Sequence, residues 1–175
     1  FRAGARTFLF SNPNNPTGTR ITGDTLADFI DEVSPQATVL VDEAYLDLWD
    51  DHAEHTAIGS IRDGKLVIVT RTFSKLHGMA GLRVGYALAP PALIARLEKL
   101  RVTNMSFPGV MAAAASLRDE EFLRFSRARI RECMNITTGV LRELGRPFIP
   151  SYGNFVYFDT GGSPAAFSTA MRRAG

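Results

Sequence analysis

Thr70–Tyr86, TRTFSKLHGMAGLRVGY, is the stretch on which the reading of this chain turns. It follows Leu66-Val67-Ile68-Val69, an apolar run that predicts a short buried strand. One lysine, Lys75, sits among the hydroxyls of Thr70, Thr72 and Ser74, with Arg71 and Arg83 on either side. Gly78, Gly81 and Gly85 let backbone approach a ligand closely. A lysine on a helix is usually a solvated charge, whereas this one is read in a loop just past a strand. Neighbouring cations disfavour a protonated amine and so favour one that attacks carbonyls. The hydroxyls and Arg83 suit a phosphate, which arginine binds through charge-assisted and often bidentate contacts.

A lysine that attacks an aldehyde beside a phosphate site suggests pyridoxal phosphate. Two further loops support a common site. Thr7–Phe10 reads as a strand and runs into Ser11-Asn12-Pro13-Asn14-Asn15-Pro16-Thr17-Gly18, a loop by its turn residues. Thr38–Val41 is a second β-rich run and closes on Asp42-Glu43-Ala44-Tyr45. Between them Thr22 is placed to cap a helix whose apolar face is Leu26, Phe29, Ile30 and Val33, ended by Pro35. Strands alternating with helices predict an α/β fold, a mostly parallel sheet covered by helices on both faces. Ligands of such sheets collect outside the carboxyl ends of the strands, where all three polar loops converge.

The rest of the chain is richer in helix. Leu46–Gly64 is polar and irregular, with His52 and His55 in an acidic setting, but it lacks the fixed ligand set of a metal centre, and no metal is expected. Arg83–Ala89 reads as a fourth strand, and Pro90-Pro91 as the first turn of a helix bearing Leu93, Ile94, Leu97 and Leu100. An Ala-rich helix is predicted from Val110 to Leu117. A long one follows from Glu120 to Leu144, with Phe122, Phe125, Cys133, Val140, Leu141 and Leu144 as buried candidates and Gly145 as its stop. Asn154–Asp159 alternates as a strand, and Ser163-Pro164 opens a last helix. A domain change is expected near Leu141–Pro150, which divides the chain into 1–144 and 145–175.

Composition excludes some function classes. Apolar residues at 45% and charged residues at 22% describe an ordinary globular chain. Twenty Lys+Arg against 18 Asp+Glu is too balanced to imply nucleic acid as a partner. The arginines between Arg96 and Arg146 alternate with glutamates, as on solvated helix faces. No apolar run reaches membrane-spanning length. A single cysteine, Cys133, forms no internal disulfide and fits a reducing compartment. The chain opens at Phe1 without a methionine and stops at Gly175 after a helical pattern, so both ends read as cut from a longer protein.

Asn-Asn-Pro-Thr-Gly at 14–18, Val-Asp-Glu-Ala-Tyr at 41–45 and Ser-Lys…Gly-Leu-Arg-Val-Gly-Tyr at 74–86 together resemble the fold-type I pyridoxal-phosphate-dependent aminotransferases. Within them the sequence is most similar to the histidinol-phosphate aminotransferase-like group. The resemblance covers nearly the whole chain and implies roles for particular residues. Lys75 resembles the Schiff-base lysine that also shuttles the substrate proton. Asp42 resembles the acid paired with the pyridine nitrogen, which keeps the ring able to accept electrons. Asn15 and Tyr45 look like donors to the ring's phenolic oxygen, and Thr72, Ser74 and Arg83 like phosphate anchors. Ser151-Tyr152-Gly153-Asn154-Phe155 resembles the segment that enters the smaller domain, which makes Asn154 a substrate-side candidate. On this resemblance 1–144 is part of the large cofactor-binding domain with its long connecting helix, and 145–175 starts the small domain.

The resemblance further implies transamination between an amino acid, or an amino-alcohol phosphate such as histidinol phosphate, and a 2-oxo acid. It implies a cytoplasmic homodimer acting on small molecules, with neither membrane nor nucleic acid as partner. The family's N-terminal ring-stacking loop and C-terminal carboxylate-binding arginine have no counterpart in these residues. Plainer readings stand beside these roles. Asp42 could cap a turn, Asn15 is a routine residue before proline, Tyr45 could be a half-buried aromatic, and hydroxyls such as Thr72 and Ser74 are common in loops. His77 is read as structural. A decarboxylase or lyase on the same scaffold and a non-catalytic effector domain are the alternatives. A nucleotide-binding domain lacks both glycine-rich phosphate motifs.

Overall fold

A computed structural model describes residues 4–102 and 104–175. The abrupt opening at Phe1 lies outside the described residues. Four strands, β1 (Thr7–Ser11), β2 (Thr38–Asp42), β3 (Val67–Thr72) and β4 (Gly85–Leu88), form one sheet in sequence order. The first three are parallel, and β4 runs antiparallel to β3. This is the α/β, mostly parallel architecture expected from the alternation of strands and helices.

Helix α1 (Gly23–Val33) buries Leu26, Ile30 and Val33 against Val39, Val41, Val67 and Val69. Each such side chain contributes about 1.5–3 kcal/mol on full burial. Phe8 and Phe10, in register with Val39 and Val41, lie on the same side of the sheet. Both meet Phe29 edge-on, with centroids 5.8 and 5.7 Å apart. Thr22 does stand at the helix N-cap, but its hydroxyl bonds the Thr25 hydroxyl at 2.9 Å rather than a backbone N–H. The other face of the sheet is covered in part by helix α3 (Pro91–Glu98). Leu93, Leu97 and Leu100 flank a groove floored by Leu40 and Ile68, and Leu9 on β1 remains 72% exposed.

Leu46–Gly64 is more ordered than its polarity predicts. Two 3-10 turns, at Leu46–Leu48 and His52–Glu54, precede the short helix α2 (Ile58–Arg62), and Leu46, Leu48 and Ala57 are buried. The two histidines tie backbone together. His52 Nδ1 lies 2.9 Å from the Trp49 carbonyl, and His55 Nδ1 accepts the Gly23 N–H at 3.1 Å. Strand β3 runs three residues beyond the expected Val69, because Thr70, Arg71 and Thr72 pair with Ala87, Tyr86 and Gly85.

Helix α4 (Phe107–Ser116) starts three residues before its predicted Val110, since Ser106 accepts the Gly109 N–H at 3.4 Å and Pro108 suits the first turn. Helix α5 (Glu120–Glu143) has the expected length and is capped by Asp119, which accepts the Phe122 N–H at 2.9 Å. Of the buried positions expected on it, Leu141 alone is enclosed. Leu123, Ile130 and Leu141 point inward, whereas Phe122, Phe125, Cys133, Val140 and Leu144 are exposed. The inward stripe includes Ser126 and Arg127, which donate to the carbonyls of Leu76 (2.7 Å) and Asp47 (2.9 Å). Apolar periodicity cannot see polar residues that dock by hydrogen bonding.

The predicted strand at Asn154–Asp159 shortens to β6 (Tyr157–Phe158). It pairs antiparallel with β5 (Phe148–Ile149) in a separate two-stranded sheet. Helix α6 (Pro164–Ala174) begins at Ser163 as expected and packs Phe167 edge-on to Phe158 at 5.5 Å.

Candidate active site

The carboxyl ends of β1, β2 and β3 and the loops that follow them enclose a cavity of about 550 Å³. Asn15, Asp42, Tyr45, Thr72, Ser74, Lys75 and Arg83 all line it, although they are spread over nearly seventy positions. Parallel strands bring their ends to one edge, and each polar loop leaves from that edge.

Local folding explains which side chains face the cavity. After β3 the chain turns, with Gly78 N–H donating to Lys75 O at 3.1 Å and Met79 N–H to Phe73 O at 2.9 Å. Phe73, Leu76 and His77 are buried on the inner side of this turn. Ser74 and Lys75 are thereby left toward the cavity. The Thr72 hydroxyl accepts the Ser74 N–H at 3.1 Å. His77 has the structural place expected of it, with Nδ1 2.8 Å from the Ser116 hydroxyl on α4 and its ring 4.7 Å from that of Phe73. Burial lowers the His77 pKa, which favours the neutral ring.

Lys75 Nζ lies 5.1 Å from the centre of the Tyr45 ring. Tyr45 is buried, its hydroxyl accepts from Asn15 Nδ2 at 3.0 Å, and Phe155 packs edge-on against it at 5.1 Å. The ring packs as a buried aromatic with Leu48 and Leu76, and its hydroxyl reaches a loop thirty residues away. Asp42 Oδ1 accepts from the Thr70 hydroxyl at 3.0 Å and from the Ala44 N–H at 3.2 Å. Among the described residues its second oxygen takes no hydrogen bond. Arg83 donates to Ala80 O at 2.9 Å and holds φ +54°, a left-handed conformation uncommon away from glycine and frequent at functional sites.

Arg71 is not the free cation that the sequence suggests. All three of its guanidinium nitrogens are engaged, with Nε and Nη2 on Glu43 at 3.0 and 2.7 Å and Nη1 on Asp47 at 2.8 Å. Burial opposes the Arg71 charge, but Asp47 and Glu43 outweigh it and raise its pKa. Burial pushes the fully enclosed Glu43 carboxyl above its usual range, against the pull of the Ala57 N–H, Arg71 and Thr56. Thr70, read from the sequence among the hydroxyls around Lys75, also lines the cavity, brought there by the register of β3 with β2, and Ser11 joins it from the end of β1 with no motif to mark it. Asn154 is not brought in. It is exposed and lines a separate groove of about 320 Å³ along α5, with Arg129 and Met134. A larger cavity, about 610 Å³, opens beside β5, β6 and α6, but among the described residues its lining carries one charged group, Asp159, and no amine or guanidinium.

The family model for aminotransferase class I and II matches residues 2–174. The chain belongs to this family. It is 38% identical over 172 residues to histidinol-phosphate aminotransferase 2 of Nitrosospira multiformis, covering 97% of this chain and 44% of that protein. It is 39% identical over 165 residues to the aromatic amino acid aminotransferase of Mycolicibacterium vanbaalenii, covering 93% and 47%. The crystal structure of histidinol-phosphate aminotransferase from Sinorhizobium meliloti in complex with pyridoxal-5'-phosphate superposes with a TM-score of 0.86 at 31% identity, over 97% of this chain and 46% of that one. The chain therefore spans less than half the length of these relatives.

Proposed function

We propose that this chain carries the catalytic lysine and the central cofactor contacts of a pyridoxal-5'-phosphate-dependent aminotransferase. The observation that carries the reading is the single cavity in which an amine, a carboxylate with a free oxygen, an amide–phenol pair and a hydroxyl–arginine cluster meet. That donor set fits the cofactor chemically. An aldehyde needs an amine, a pyridine nitrogen a carboxylate, a phenolic oxygen its donors and a phosphate an arginine. When bound, the cofactor supplies the aldehyde that takes up the amino group and the ring that accepts electrons.

Lys75 Nζ holds the cofactor and moves a proton at the substrate α-carbon. Asp42 Oδ2 holds the proton of the ring nitrogen. Asn15 Nδ2 and the Tyr45 hydroxyl donate to the phenolic oxygen, and Thr72, Ser74 and Arg83 bind the phosphate. Asn154 lines the groove along α5 rather than the cavity, and its substrate-side role in this reading rests on the resemblance of Ser151–Phe155 alone.

The donor is an amino acid or an amino-alcohol phosphate such as histidinol phosphate, and the acceptor is a 2-oxo acid. Relatives named for histidinol phosphate and for aromatic amino acids support this class. The protein works as a cytoplasmic homodimer on small molecules, without nucleic acid or membrane. Among the described residues no helix is long and apolar enough to cross a membrane. Residues 1–144 belong to the large domain and 145–175 to the start of the small one, a division supported by the separate β5–β6 sheet.

Borohydride reduction in the presence of pyridoxal phosphate, followed by peptide mass spectrometry, tests the reading. The expected result is a pyridoxyl tag on Lys75 that is absent in Lys75→Ala, with amino transfer reduced by about 10²–10⁴-fold. A tag on another lysine, or none on Lys75 in the full-length protein, overturns it.

A further inference from the structure

Glu43 is fully enclosed and lies outside the cavity, yet four donors converge on it. Oε1 accepts from the Ala57 N–H at 2.7 Å and the Thr56 hydroxyl at 3.0 Å, and Oε2 accepts from Arg71 Nε and Nη2. Arg71 Nη1 reaches on to Asp47. Four segments meet here: the end of β2, the 3-10 turn after Tyr45, the loop before α2, and β3. A buried ion pair is a poor stabiliser, because desolvation offsets the attraction and apolar replacements of similar volume often hold a fold as well or better. Stability is therefore a weak reason for this arrangement.

Its placement offers another. Glu43 directly follows Asp42, Asp47 stands two residues after Tyr45, and Arg71 directly precedes Thr72. The Glu43 N–H to Thr70 O bond, 2.9 Å, is the last backbone rung between β2 and β3. Beyond that rung the strands diverge into the two loops, and the Glu43–Arg71 side chains take over the lateral tie.

We infer that the enclosed Glu43–Arg71 pair, extended by Asp47 and Thr56, is a positioning device that fixes the spacing between the Asp42–Tyr45 arm and the Thr72–Lys75 arm of the site. The inference rests on the cofactor reading above. Glu43, which is absent from the cavity lining, is a positioning residue because it acts through Asp42, Tyr45 and the lysine turn, and Arg71, which reaches the cavity wall, is its anchor on β3.

An apolar double variant, Glu43→Leu with Arg71→Met, separates positioning from stability. It is compared with wild type in three measurements on protein reconstituted with pyridoxal phosphate: the urea midpoint, the pH midpoint of the bound cofactor's absorbance, and amino-transfer kinetics. The expected result is a urea midpoint close to wild type, a pH midpoint displaced by about one unit and a kcat lowered about 10²-fold by misplaced groups. Glu43→Gln, which keeps the shape and removes the charge, is expected to displace the pH midpoint in the same direction by less, and it serves if the double variant does not fold. A pH midpoint and kcat equal to wild type in whichever variant folds overturn the positioning role while leaving the cofactor reading intact. Full-length wild-type protein that shows no reducible tag on Lys75 overturns both.

Discussion

Two regions of the molecule use their side chains in opposite ways. At the carboxyl ends of β2 and β3 polar groups are taken out of water, and no enclosed side-chain nitrogen or oxygen among the described residues lacks a partner. Along the outer face of α5, Phe122, Phe125, Ile136, Val140 and Leu144 form an apolar stripe at helical spacing that stays exposed, Ile136 at 61%. The first region is satisfied by residues of this chain nearly thirty positions apart. The second is only partly covered by described residues, and apolar patches of this kind mark contact surfaces. Sequence hydrophobicity ranks the outer stripe above the inner one, so hydrophobicity alone does not say which face a helix buries. The polar contacts of Ser126 and Arg127 decide it.

The contrast can be broken by substitution. Ile30→Ala, in the enclosed core under the sheet, is expected to lower stability by about 2–5 kcal/mol in urea unfolding. A small effect would mean that the core relaxes around the gap and is less rigid than its burial implies. Gly18→Ala tests where the two halves touch. Gly18 has φ +76°, and a Cβ there would lie 2.0 Å from the Ser151 hydroxyl oxygen. The Gly18 carbonyl also accepts the Tyr152 N–H at 2.7 Å. A loss of about 1–3 kcal/mol is expected from the backbone conformation, together with weaker cofactor retention if Asn15 shifts with the loop.

Asp51 sharpens the comparison through pH. Its hydrogen bond from Arg20, at 2.7 Å, and the charges of Arg20 and His55 lower its pKa from 3.8 to about 2. A carboxyl with a depressed folded-state pKa stabilises above its unfolded value, and the contribution disappears as pH falls from about 4 toward 2. The Asp51 side chain is 44% exposed, so solvent screening holds the effect to less than about 1 kcal/mol. Asp51→Asn should flatten that part of the acid-unfolding curve and leave neutral stability nearly unchanged. An unchanged acid limb would show that the Arg20 contact is not kept in solution. Smallest of all, Ile136→Gln is expected to change stability by no more than about 0.5 kcal/mol and to reduce self-association in sedimentation. A loss as large as that at Ile30 would show that the stripe is covered after all.

Much of the fold was legible because its signals are local. Alternating β-rich runs and 3.6-residue periodicity marked β1, α1, β2 and α5, and the motifs at 14–18, 41–45 and 74–86 span every residue that the cavity gathers except Ser11 and the Thr70–Thr72 run just before Lys75, whose hydroxyls and arginine were legible as its neighbours. Strand ends were less legible. Thr70 extends the strand by pairing with both β2 and β4, and Arg71 and Thr72 extend it because β4 returns to pair with them.

The sequence by itself determined the alternation of strands and helices, from which a mostly parallel sheet follows, and the three polar loops that leave the strand ends, because each is written in residues close together in the chain. Tertiary structure alone decided the buried face of α5, the engagement of Arg71 by two carboxylates, and the exclusion of Asn154 from the cavity. Those outcomes depend on which distant group arrives within hydrogen-bonding distance, and no spacing along a chain encodes that.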